Sequence, residues 1–171
     1  MATKNRTTET TILNKPENTL QAKMLFIACL FGAVMGVVFI LIQPLFGMDT
    51  LTARHAASYQ QLGNWSSIAA TTIAWAVHFV VSIVYGLLSG LVLLNTARLG
   101  FIALFTLAFS WLTTVIAPPA NAIIVQLVSF QHIQTSQLPS LNFNLDVKFL
   151  LHLIFFAAIS SALYIYRKTV A

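Results

Sequence analysis

The sequence predicts an all-α integral membrane four-helix bundle with its N- and C-termini cytoplasmic. Three observations carry that expectation. Hydrophobic residues make up 58% of the 171-residue chain and charged ones only 8%, whereas about a quarter of a soluble domain is charged. Four apolar stretches reach the roughly 20 residues needed to cross a bilayer core. The basic residues also sort to one side of those stretches.

Residues 1–23, MATKNRTTETTILNKPENTLQAK, hold too few apolar side chains to offset the entropy of ordering, which predicts a disordered cytoplasmic tail. A single four-span transmembrane domain over 24–168 is expected after it. The apolar run that follows the tail starts too late and is too long for a secretory leader, so it is expected to stay as an anchor.

The expected spans are Met24 to Phe46, about Ile68 to Leu94, about Leu99 to Ala117, and about Val147 to Tyr166. Lipid offers no hydrogen bonds, so each must satisfy its backbone internally, as a helix. With a cytoplasmic N-terminus, that side holds Lys4, Arg6, Lys15, Lys23, Arg98, Arg167 and Lys168, and the other side holds Arg54 and Lys148. This asymmetry fixes the expected orientation. The net charge of +5 is thus a topology signal, and its scatter over separate segments excludes a nucleic-acid footprint.

The few residues around Asn95 to Leu99 predict an antiparallel hairpin of the second and third spans. In the first outer loop, GMDTLTARHAASYQQLGNWSS, residues 50–62 suit a short surface helix, and Tyr59 and Trp65 suit the headgroup region. The third span is expected to end or kink at Pro118-Pro119. Pro118 frees the Thr114 carbonyl, and the Thr113 and Thr114 hydroxyls are placed to compensate. Residues 120–130 then either continue that span or lie in the interface. Asp146 complements the dipole of the fourth helix, with Asn144 as its expected cap.

Small residues recur at intervals of four: Ala28, Gly32 and Gly36 on the first span, Ser82, Gly86 and Gly90 on the second. This spacing lets helix backbones approach closely, within one bundle or across a dimer. Two histidines, His78 and His152, lie inside the apolar spans, where polar groups are costly and usually face the bundle interior. Counted back from Leu94 and Tyr166 they are 16 and 14 residues deep, about 21–24 Å at 1.5 Å per residue. Two imidazoles at one height suit axial ligation of haem b, a metal or a proton relay. Alternatively, each is hydrogen-bonded to a Ser, Thr or backbone carbonyl of a neighbouring helix.

The remaining inventory favours neither an enzyme nor an ion-coupled transporter. Cys29 stands alone, and no carboxylate lies within a span. Asp146, Lys148 and His152 form one open grouping near the outer surface.

HFVVSIVYG on the second span, a short basic turn, a Pro-Pro after the third, and a closing span running from KFLLHLIFF to YRK resemble YagU-type small bacterial inner-membrane proteins over roughly residues 70 to 168. That resemblance implies a bacterial inner membrane and the pair His78 and His152 as recurring features. It supplies no substrate. The expected function is a non-catalytic interaction or accessory subunit, partnered by the lipid bilayer and by itself or a larger membrane complex, with no required cofactor. The alternative is a haem-binding or electron-transfer protein using His78 and His152.

Overall fold

The structure, a computed structural model, describes residues 15–170. Those residues form helices and connecting segments, with no strand among them. The helices are α1 (Lys15–Ile42), α2 (Leu51–Gly63), α3 (Ser67–Asn95), α4 (Leu99–Val128) and α5 (Val147–Val170), with 3-10 turns at Gln43–Phe46 and Thr135–Gln137. Four of them, all but α2, are long and apolar enough to cross a membrane.

α1 begins at Lys15, inside the segment expected to be a disordered tail, while residues 1–14 lie outside the described residues. Pro16 falls in its first turn, where a missing N–H costs nothing, and Glu17, Leu20, Gln21 and Ala22 are good helix formers. A helix already nucleated by the apolar run extends into such residues at little cost.

The glycine ladder joins α1 to α3 within the chain. A Cβ on Gly32 would strike the Ser82 carbonyl and sit 3.0 Å from the Gly86 Cα, while one on Gly86 would strike the Ala28 carbonyl. Gly36 faces Ser82, and Gly90 faces Ala28. The most extensive packing in the molecule follows, that of α1 on α3.

α3 and α4 are joined by only three residues, Thr96 to Arg98, and turn back antiparallel as expected, with little direct packing between them. Both pack on α5 rather than on each other. The aromatic side chains Tyr85 on α3 and Phe109 on α4 both meet Phe156 of α5, with ring centroids at 5.4 and 5.5 Å. At the turn, Arg167 of α5 donates to the carbonyls of Leu93 and Thr96, the acceptors that the end of α3 leaves unpaired. Leu25 near the start of α1 lies beside Gly90. Both described ends of the chain therefore share one end of the bundle.

α4 runs unbroken through Pro118 and Pro119 to Val128, so the proline pair does not end the helix. The two hydroxyls expected to compensate point the other way, Thr113 to the carbonyls of Phe109 and Ser110 and Thr114 to that of Ser110. Compensation comes instead from the returning loop. Pro119 cannot donate to the Val115 carbonyl, and the Asn142 N–H does so at 3.0 Å. This contact brings the loop down beside α4, with Phe143 against Trp111 at 6.3 Å and Leu141, Phe143 and Leu145 exposed. α5 is then capped by Asp146 itself, not by Asn144: its carboxylate accepts from the N–H groups of Lys148 and Phe149 at 2.9 and 3.2 Å.

At 1.5 Å per residue, α3 and α4 are each about 44 Å long against a hydrocarbon core of about 30 Å. Their surplus length meets α2. Thr50 caps α2 by accepting from the Ala53 N–H at 3.2 Å, and Ser66 caps α3 by accepting from Ala69 at 3.4 Å. The expected surface helix is thus present, but one face of it is buried: Thr52, His55, Ala56 and Tyr59 turn inward. Tyr59 is fully buried, not poised among headgroups. It forms a small second core with Ala56, Ala70 and Ala74, against Trp65, Ile73, Val125 and Val128. The molecule accordingly has a main helix-bundle core and a separate cap at the end opposite its termini.

Candidate functional site

A cavity of about 290 Å³ lies where the cap meets the bundle. His78 and Ser82 of α3, Asn121 of α4, and Lys148 and His152 of α5 contribute its polar wall from the long helices. Arg54 and His55 of α2 close it from the cap. Phe39, Val77, Val81, Ile116, Leu151 and Phe155 supply apolar surface. The space exists because α3 and α4 diverge from a short turn without packing together, and α2 bridges them from above.

His78 and His152, singled out by their depth in the sequence, line this one cavity. Each has a defined partner. His78 Nε2 donates to the Gly36 carbonyl at 2.9 Å, with Ser82 Oγ at 3.5 Å. The acceptor has no proton, so His78 is the Nε2–H tautomer with its lone pair on Nδ1. His152 Nδ1 lies 3.0 Å from Thr114 Oγ1, whose own proton goes to the Ser110 carbonyl at 2.7 Å. His152 is therefore the donor, with its lone pair on Nε2. Thr114 continues a polar stripe down α4: Ser110 donates to the Thr106 carbonyl, and Thr106 to Ser160 of α5.

These bonds do not by themselves exclude bis-histidine haem, since each ring keeps one lone pair and a metal-bound imidazole ordinarily donates its other N–H. Phe39 lies against both rings, 6.1 Å from that of His78 and 5.3 Å from that of His152. Three or more His, Cys, Asp or Glu side chains do not come together as a metal site among the described residues.

Sequence reasoning missed His55, Arg54 and Asn121. His55 is buried, and its Nε2 has no hydrogen-bond partner. Burial holds its pKa down to about 4, with the positive charge of Arg54, and that of His78 when protonated, adding to the effect, so at neutral pH it is an uncharged ring. Its signal was present as the inward spacing of Thr52, His55, Ala56 and Tyr59, which marks a helix with one buried face. Lys148 belonged to the open grouping with Asp146 and His152. The structure splits that grouping: Lys148 and His152 line the cavity, while Asp146 caps α5 and accepts from Asn142 Nδ2 at 3.3 Å.

A second hollow of about 320 Å³, between α2 and α4, shares Arg54, His55, Pro118 and Asn121 with the first. Arg54 thus borders both. Compared with family models, curated proteins and solved structures, the chain finds no match, and its function is argued from this geometry.

Proposed function

We propose that this chain is a multi-pass bacterial inner-membrane protein, both ends cytoplasmic, that binds an amphiphilic small molecule and serves as an accessory component rather than a catalyst. The cavity carries the reading. A concave site with an apolar lining and a few convergent polar groups is the usual form of a small-molecule site, and its 290 Å³ is close to the lower end of such sites.

The level of the site supports an amphiphile. Irregular, lipid-exposed backbone does not lie in hydrocarbon, so the loop beside Val115, with Leu141, Phe143 and Leu145 exposed, puts the hydrocarbon boundary close to the start of α5. Lys148 and Arg54 then stand at headgroup height, with His78 and His152 just below. The distribution of basic residues supports the orientation, and the four long apolar helices support a membrane location. Haem is not part of this proposal, which rests on the cavity and the cationic side chains that line it.

The test is extraction of the purified protein for retained small molecules, with Ala120→Trp to fill the cavity. An amphiphile recovered at near-equal stoichiometry from the wild type and lost in the folded Trp variant is expected. Equal recovery from both, or no ligand and no thermal shift with any amphiphile offered, would defeat the reading.

A further inference from the structure

We propose that the ligand is an anionic amphiphile with a single alkyl chain, its head held by Arg54 and Lys148 and its chain directed into the gap between α3 and α4. This inference rests on the binding reading above and names the class of ligand.

Charge comes first. Among the described residues the cavity is lined by two cations and no carboxylate. The acid just before α5, Asp146, caps that helix and does not line the cavity, although its charge reaches His152. A guanidinium and an ammonium lining one cavity without a lining acid suit a carboxylate or phosphate, whose hydrogen bonds to charged donors are the strong ones. A neutral quinone or sterol would leave both cations without a charged partner inside the cavity.

Polar but uncharged groups complete the head site. His55 lines the cavity with the small part of its surface that is exposed, while its Nε2, enclosed by protein, has no partner. Asn121 offers an amide from the opposite wall.

The chain follows from the packing. α3 and α4 do not pack on each other, and Val77, Val81, Ile116, Ala120 and Ile124 face the space between them. The cavity holds a head and the first carbons of one chain, and the rest leaves sideways between the two helices into lipid. A route of this kind lets the ligand enter from the leaflet without crossing the cap.

The probe is dansyl-undecanoic acid, titrated into the full chain in neutral maltoside micelles and displaced by unlabelled competitors. Tetradecanoic acid and 1-acyl lysophosphatidate are expected to displace it, and the tighter of the two names the head. Methyl tetradecanoate is expected to be at least about tenfold weaker, as loss of a charge-assisted contact implies. Inorganic phosphate is expected to do nothing. In Arg54→Gln/Lys148→Gln, the acid falls to the affinity of the ester. An ester that competes as well as the acid in the wild type overturns the anionic head but leaves an amphiphile site standing. Displacement by inorganic phosphate overturns the chain. Probe signal that Ala120→Trp leaves unchanged overturns the cavity as the site, and with it the binding reading.

Discussion

Gly32 and Gly86 show how little room one residue can leave. Each faces the backbone of the other's helix, so an added methyl has no flexible neighbour to displace. Gly86→Ala should destabilise the protein by about 1–3 kcal/mol, as overpacking does in tight cores, read as a lower melting temperature in detergent. Gly100→Ala, where nothing lies within 4 Å, should be neutral or slightly stabilising, and an equal loss in both would refute the seam. His55 offers a second measurement. Its folded pKa of about 4 lies below the ordinary 6.5, so the unfolded chain binds its proton more readily than the folded one. The stability it contributes is full above about pH 6.5 and lost as pH falls toward 4. The melting temperature should drop over that window, and His55→Phe should flatten the drop. A wild type indifferent to pH there would contradict the burial of this ring.

Among the elements, α4 is the one the sequence disguised. Its start and its apolar body were readable, but Pro118-Pro119 imitated a stop. The donor that makes the pair tolerable, the Asn142 N–H, is 27 residues from its acceptor Val115, and no local pattern announces so distant a partner. The real stop was equally hidden. Phe130 takes the left-handed conformation with φ 56°, while the Gln131 N–H reaches back to the Gln126 carbonyl, an ending that usually falls on glycine. The histidine pair, by contrast, was legible from depth alone, because polar groups in apolar helices are few. Its partners were not, since Gly36 and Thr114 are ordinary residues until the helices meet. Pro119→Ala would restore an in-helix donor to Val115. Amide exchange at Asn142 and in residues 138–146 should then quicken, and unchanged exchange would mean that the loop is held by something else.

For the whole molecule, the decisive feature is that bundle and cap have separate cores, with the cavity at their junction. Composition and span length made the bundle plain. The cap helix was expected but its docking was not, because the core beneath it is mostly alanine and tyrosine drawn from three helices, with no apolar run of its own. Thiol labelling reads the orientation directly. In a Cys29→Ala background, a membrane-impermeant thiol reagent should label Thr169→Cys only from the cytoplasmic side and Ser58→Cys only from the other. The reverse pattern would invert the topology argued here from basic residues.

The seam between α1 and α3 has a mechanical corollary. Ala28, Gly32 and Gly36 on one helix and Ser82, Gly86 and Gly90 on the other recur every four residues, close to the 3.6 of a helical turn. A slide of a fraction of that interval drives a side chain into backbone, whereas a slide of four residues, about 6 Å at 1.5 Å per residue, again sets small residue against small residue. The two helices therefore form a notched joint, stiff against gradual shear, whose next resting position is a full step away and lies beyond the reach of the bond between His78 and Gly36.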